Sequence, residues 1–355
     1  MLPPRYNPIS ASIMPGGFGT AESVHDSYLD RVVIYKSMKD EKNNKQLTNE
    51  IRLLSHARSR HIVEIYDVII DKDGLTQGII IEKLTGQSFH NFYKEAKNSP
   101  KLFLLYLYQI ATALADLHES NIIHRDLKLD NFKESESGIL KLFDFGISVD
   151  SETYKTRENR GTLVYAAPEL FLDNVTITKE MDIYALGVCA WALCSQEMPK
   201  ELHELPPQTS SSAPSIMTIL GGLIDKKVIT LIDNCLSPEP SSRPKSREIS
   251  NALANYLVQG QHKGIFVHGS ANIYELSNKN QNVNINLKGL GGIKIIYDGL
   301  DFIIDDVTGN VSINNKSATI GSILPASCVL AFGAEELGYG REWITFSSSQ
   351  PEVVI

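Results

Sequence analysis

The sequence predicts an α+β chain in two parts: a mixed region of helices and strands over residues 6–261, then a small all-β, sandwich-like domain over residues 264–355. Three observations carry this expectation. Val32-Val33-Ile34-Tyr35-Lys36 reads as a strand behind a glycine-rich hairpin, and the stretch after it, from Asn43 to Ala57, sets Leu47, Ile51 and Leu54 on one helical face. Met181 to Ser195 is almost wholly apolar. At about fifteen residues it is shorter than the ~20 a bilayer needs, so a buried core helix is expected there. Beyond residue 261 short Ile/Val/Leu runs, such as Ile293-Lys294-Ile295-Ile296-Tyr297 and Phe302-Ile303-Ile304, alternate with Gly, Asn, Asp and Ser, which is the pattern of an antiparallel sandwich or barrel.

Composition bounds what the chain can do. Its 355 residues suit two domains, and the formal net charge of -8 opposes nonspecific nucleic-acid binding, which needs cationic surface. Cys189, Cys194, Cys235 and Cys328 lack paired ligand spacing and are expected to be buried thiols in a reducing compartment. Met1-Leu2-Pro3-Pro4-Arg5 holds no apolar signal segment, and nowhere do ~20 apolar residues run together. A soluble, cytoplasmic protein with no membrane and no nucleic-acid partner is therefore expected. The Pro- and Ser-rich stretch from Leu202 to Pro214 reads as an insertion ahead of a helix.

His124-Arg125-Asp126-Leu127-Lys128-Leu129-Asp130-Asn131, followed by Asp144-Phe145-Gly146, collects carboxylates, a carboxamide and a lysine in two short runs. Such a set fits phosphoryl transfer. The transferred group passes through a loose transition state with charge spread over its oxygens, so catalysis is mostly positioning and electrostatic stabilisation. It calls for hard oxygen ligands to a metal, a carboxylate near the acceptor hydroxyl and a cation near the phosphates. In type and order the two runs resemble the catalytic and metal-binding loops of the eukaryotic-type (Hanks-type) serine/threonine protein kinases. That resemblance implies a bilobal kinase fold, a small lobe over residues 6–83 and a large lobe over 84–261. It also implies that Asp126 orients the hydroxyl and takes its proton, that Lys128 steadies the γ-phosphate of ATP, and that Asn131 and Asp144 hold Mg²⁺, with Mn²⁺ as an alternative.

The flanking sequence supplies the family's other parts in order. Gly16-Gly17-Phe18-Gly19 resembles the glycine-rich loop, where small residues let backbone approach phosphates. Lys36 matches the lysine that reaches the α- and β-phosphates, paired with Glu50 on the following helix. Ala167-Pro168-Glu169 closes the activation segment, Asp182 to Gly187 resembles the start of the central helix, and Arg243 is the implied buried partner of Glu169. Lys128 and Gly161-Thr162 resemble the serine/threonine branch, which implies protein substrates with Ser or Thr acceptors and autophosphorylation. Arg125 implies control through the activation segment, with Thr153 and Thr156 preferred over Ser148, Ser151 and Tyr154 as acceptors.

Four positions depart from the family pattern. Met14 stands where a glycine usually opens the loop. Ala21 replaces the usual valine and Ile34 the usual alanine over the adenine, an exchange that conserves volume. Lys133 stands where a leucine usually floors the adenine, its aliphatic stem filling the place while the ammonium reaches solvent. Ile81 is implied to border the same pocket, and the backbone from Glu82 to Leu84 to form the lobe hinge. In the tail, Gly309 to Asn315, Ile323-Leu324-Pro325 and Val329 to Gly333 resemble the later strands of a forkhead-associated domain, a family that binds phosphothreonine through an arginine and a Ser-x-x-His motif. The tail's one arginine is Arg341 and it has no Ser-x-x-His, so a role that does not depend on phosphate is expected. The competing expectations are a pseudokinase scaffold, against which intact Lys36, Glu50, Asp126, Asn131 and Asp144 speak, and a phosphoprotein-binding adaptor acting through the tail.

Overall fold

The structure, a computed structural model, describes residues 2–9, 14–15, 19–38, 44–86, 89, 92–96, 98–145, 148, 155–156, 163–269 and 272–355. Gly16, Gly17 and Phe18 of the glycine-rich stretch lie outside the described residues, as do Asn43, Gly146, Ser151, Thr153, Tyr154, Gly161 and Thr162. Two compact units result, Met1–Leu253 with Ile355, and Ala254–Val354.

The first unit begins with β1 (Tyr6–Pro8), β2 (Met14–Pro15), β3 (Gly19–Asp26), β4 (Arg31–Met38), α1 (Asn44–His56), β5 (Ile65–Ile70) and β6 (Thr76–Ile81). These strands form an antiparallel sheet in the order β1-β3-β4-β6-β5, with β2 paired to β3. Register decides which side chains meet: Ala21 lies opposite Lys36, Ser23 opposite Ile34, and Ile34 opposite Ile81. Opposed residues share a face and alternate residues return to it, so Ala21, Ile34, Lys36 and Ile81 stand on one face of the sheet. The other face buries Tyr6, Val24, Val33, Ile69 and Ile80.

The strand at Tyr6 has no signal of its own in the sequence. It is anchored by Arg5, whose Nε and Nη2 donate to the two carboxylate oxygens of buried Asp26 at 2.6 and 2.7 Å, a bidentate bond that pulls the Asp26 pKa down to about 2. On α1 the packed residues are Leu47, Glu50, Leu53 and Leu54. Ile51, expected on that face, is half-buried on the flank, because the helical turn centres the inward stripe between Leu53 and Leu47.

The larger part of this unit follows: α2 (Tyr93–Ala96), α3 (Pro100–Glu119), the ribbon β7 (Phe132–Glu134) and β8 (Leu140–Leu142), the short pair β9 (Lys155–Thr156) and β10 (Val175–Thr176), then α4 (Lys179–Cys194), α5 (Lys200–His203), α6 (Met217–Leu220), α7 (Lys226–Asn234) and the first turns of α8 (Ser246–Val258), whose residues from Ala254 on count with the second unit. As its composition requires, α4 is buried almost all round, and at Gly187 an added Cβ would sit 2.7 Å from Leu236. Among the described residues no helix is long and apolar enough to cross a membrane. The stretch after α5 is fixed by Gln208, whose side chain donates to the Leu236 carbonyl and the Tyr184 hydroxyl and accepts from the Ala213 amide. The four cysteines are free and buried.

The second unit consists chiefly of strands: β11 (Gly264–His268), β12 (Asn272–Leu276), β13 (Asn282–Leu287), β14 (Gly291–Tyr297), β15 (Phe302–Gly309), β16 (Val311–Ile313), β17 (Lys316–Ser317), β18 (Ser327–Phe332) and β19 (Glu342–Ser348). One sheet runs β12-β11-β19-β18-β16-β17 and the other β13-β14-β15. Alternate residues, among them Phe266, Ile293, Ile295, Leu330, Phe332 and Phe346, turn inward to one core. Phe302 of the smaller sheet meets Phe346 of the larger at 5.4 Å between ring centres, so the sheets pack face to face. The residues ahead of β11 are tied in too: Gly260 donates to the Gly299 carbonyl at 2.7 Å and the His262 amide to the Tyr297 hydroxyl at 3.1 Å.

Gly264 is required by this packing, since a Cβ there would lie 2.7 Å from Phe302 and 2.8 Å from Phe346. Gly264→Ala is expected to cost the β-rich unit about 1–3 kcal/mol, the range for overpacking a filled core. Urea denaturation followed through the tail's aromatic signal measures it, and an unchanged midpoint would contradict the contact.

Candidate active site

Two elements set the charged centre. Lys36 projects from β4 and Glu50 from the inward stripe of α1, and their side chains meet with Nζ 2.7 and 2.9 Å from the two carboxylate oxygens. Nζ also lies 3.2 Å from Asp144 Oδ1. Glu50 is 2% exposed, whereas the Asp144 side chain is 51% exposed. Burial acts to lower the Lys36 pKa, but the facing carboxylates of Glu50 and Asp144 outweigh it, so the pKa is raised and the ammonium stays charged.

Below it, the loop from His124 to Asn131 folds on itself. Lys128 Nζ sits 2.7 Å from Asp126 Oδ2, and Asn131 Nδ2 donates to the Asp126 carbonyl at 2.8 Å. With its amide nitrogen committed there, Asn131 has its carboxamide oxygen left for a cation. The Phe143 amide donates to the Asn131 carbonyl at 2.9 Å, which brings Asp144 up beside this loop. Asn131 and Asp144 are a hard-oxygen donor pair suited to Mg²⁺, an ion that takes one or two protein ligands and completes its shell with phosphate and water. No cluster of three or more His, Cys, Asp or Glu able to hold a metal occurs among the described residues.

Backbone strain marks the same place. Arg125 and Asp144 have φ of 70° and 66°, a left-handed conformation that non-glycine residues seldom adopt. What over-determines Arg125 is Asp182 on α4. Its buried carboxylate accepts the His124 amide at 2.7 Å and the Arg125 amide at 2.8 Å, while His118 lies 3.1 Å from it and in turn contacts Ser246. Sequence reasoning assigned Asp182 only to a helix start; the missed signal is a buried carboxylate at the head of an apolar helix, a costly residue that needs partners. His124 itself is fully buried, its pKa lowered by burial, and its ring lies edge-on to Phe145 at 5.1 Å.

The remaining sequence-derived positions lie on the following elements. Ala21, Ile34 and Ile81 share the Lys36 face of the sheet. Ala21 and Ile34 are diagonal neighbours, so their side chains stand about 7–8 Å apart at Cβ or less. Glu82 and Leu84 lie in the connector after β6, and Lys133 is half-buried on β7. Gly19 opens β3. Thr156 lies on β9, and Ser148, buried, donates through its hydroxyl to the His124 carbonyl at 3.0 Å. Away from the centre, Arg243 binds Glu169 in two parallel bonds of 2.6 and 2.8 Å and also donates to the Ser237 and Glu180 carbonyls, with its side chain wholly buried.

A family model described as "Protein kinase domain" matches residues 10–253. The chain is 34% identical over 166 residues to the probable serine/threonine-protein kinase WNK6 of Oryza sativa subsp. japonica, covering 46% of this chain and 37% of that protein. It is 26% identical over 283 residues to the hormonally up-regulated neu tumor-associated kinase homolog of Xenopus tropicalis, 78% of this chain and 39% of the other. Against the probable serine/threonine-protein kinase nek2 of Dictyostelium discoideum it is 24% identical over 275 residues, 74% and 66% respectively. The alignments thus cover 37% and 39% of the first two of these relatives.

Proposed function

The chain belongs to the protein kinase domain family, and from that premise we propose that it transfers the γ-phosphate of Mg-ATP to serine or threonine hydroxyls of proteins, its own included. The observation that supports this best is Lys36 held between Glu50 and Asp144, beside the interlocked Asp126, Lys128 and Asn131. A scaffold that only binds has no use for that set.

In the proposed reaction the substrate hydroxyl oxygen attacks phosphorus, the bond to the ADP oxygen breaks, and the hydroxyl proton passes to the Asp126 carboxylate. Lys36, kept charged by its two carboxylates, lies against the α- and β-phosphates, and Lys128 against the transferred group. A divalent ion, when bound by Asn131 and Asp144, neutralises developing charge on the phosphate oxygens. Ala21 and Ile34 cover the adenine, Ile81 and the Glu82–Leu84 backbone border it, and the Lys133 stem lies beneath. Residues 6–261 form the kinase domain in this proposal, and 264–355 a degenerate forkhead-associated-like domain that recognises its partner without phosphate. A cytoplasmic location suits four free thiols.

Incubation with labelled ATP tests the proposal. The parent chain should label itself and a generic serine/threonine peptide, and Asp126→Asn should label neither while still binding ATP. Should the parent bind ATP and label nothing, the scaffold reading would take its place.

A further inference from the structure

The ribbon β7–β8 pairs Lys133 directly with Lys141. Like charges placed opposite one another on a ribbon are unfavourable, so at least one needs a counter-ion. Lys141 has it. Its Nζ lies 2.6 Å from Glu82 Oε2 and 3.6 Å from Glu64 Oε1, and the Lys141 and Glu82 side chains are only 8% and 15% exposed. Glu82 is the first residue of the connector after β6, and its own amide donates to the Glu64 carbonyl at 2.9 Å.

The far end of that connector is fixed to the same ribbon by different means. Gly86 donates to the Glu134 carbonyl at 3.0 Å, and it approaches so closely that a Cβ on it would collide with the Glu134 Cβ. Glu134 in turn accepts the Tyr106 hydroxyl at 2.7 Å. The connector from Glu82 to Gly86 is therefore fastened at both ends to the ribbon that carries Lys133, by an ion pair at one end and by backbone contact at the other.

We infer that Lys141 is a positioning residue for the nucleotide: through Glu82 it locks the connector backbone to the ribbon, so that the edge and the floor of the adenine site hold one spacing. This rests on the kinase reading above, in which Glu82–Leu84 and Lys133 border adenine. Removing one partner of this buried pair strands the other charge and lowers stability as well, so melting temperature is followed beside binding, and the positioning role is read from ligand affinity of the folded protein. Breaking the pair frees the connector to sample other spacings, and affinity falls with the fraction of molecules that keep the competent one.

The experiment measures equilibrium binding of ATP and of adenosine by calorimetry, with kcat and melting temperature, in the parent, Lys141→Met, Glu82→Gln and the double variant. Lys141→Met should weaken both ligands by a similar factor of about tenfold, as expected for coupled neighbours, because the loss lies at the adenine end. At saturating ATP its kcat should stay within about twofold of the parent, the signature of lost uniform binding. The double variant should be no weaker than the poorer single one. Unchanged ATP affinity in Lys141→Met, or strictly additive losses in the double variant, would overturn the inference. If Lys141→Met does not fold, Glu82→Gln decides on the same two affinities. A parent chain that binds no ATP would instead defeat the kinase reading, which keeps the two failures distinct.

Discussion

Asp144→Asn and Asp126→Asn are each expected to lower phosphoryl transfer at least about a hundredfold while leaving the melting temperature within a few degrees of the parent. Asp144 is half exposed, and its replacement removes charge aimed at the phosphates without opening a cavity. In Asp126→Asn the bond from Asn131 to the residue 126 carbonyl survives, because it is made to the backbone. The variant should therefore keep ATP while losing the proton acceptor and the charge that pairs with Lys128. Lys36→Ala should be as inactive but less innocent. Glu50 is 2% exposed and takes two bonds from Lys36 Nζ, so the substitution strands a buried carboxylate. Removing one partner of a buried pair costs about 3–5 kcal/mol, and the melting temperature should drop with activity. Labelled-ATP rates and thermal melts on the three variants check this, and a rate like that of the parent in any one of them would remove that residue from the catalytic set.

What could be read from the sequence was what the chemistry compresses into short runs. Asp126, Lys128 and Asn131 lie within one turn of loop, and Lys36 and Glu50 sit on a strand and the helix that follows it, so their types and order were visible without a fold. Ala21, Ile34 and Ile81, put beside adenine by the family resemblance, stand on the Lys36 face of the sheet, because period two fixes the face once the register is known. Contacts between distant segments were not legible. Asp182 reaches back 58 residues to His124, and Lys141 reaches 59 to Glu82. Lys141 carries no local pattern that differs from an ordinary strand lysine, and the carboxylate heading an apolar helix at Asp182 signals a need for partners without saying which they are. In the tail the alternation announced strands, but not that the first of them, β11, would lie beside the last, β19. The edge strand at Tyr6 was hidden for a similar reason: Arg5 finds Asp26 only after the sheet has formed.

Asp182→Ala is expected to be among the most damaging substitutions outside the catalytic set. The carboxylate serves the His124 and Arg125 amides and His118 together, at a site 1% exposed, and each buried donor left unmet costs about 1–3 kcal/mol. Arg125 would lose the bond that holds it at φ 70°, and the loop carrying Asp126 would relax. Asp182→Asn retains one good acceptor, but either orientation of the amide turns an N–H toward a backbone N–H, so it should be intermediate. Burial acts to raise the Asp182 pKa, and the bonds and charge from His118 and its neighbours more than reverse this, so the folded-state pKa lies below the ordinary carboxylate value. The stabilisation is thus present above about pH 4, where the unfolded group ionises, and fades as the pH falls through the folded-state pKa. The stability gap between parent and Asp182→Asn should therefore be widest near neutrality and narrow in acid. Urea denaturation of both proteins across that range measures it, together with kcat at neutral pH, which should fall more than ATP affinity because the nucleotide contacts lie elsewhere. Equal stability of the two proteins at neutral pH would show that the carboxylate is not what holds the catalytic loop.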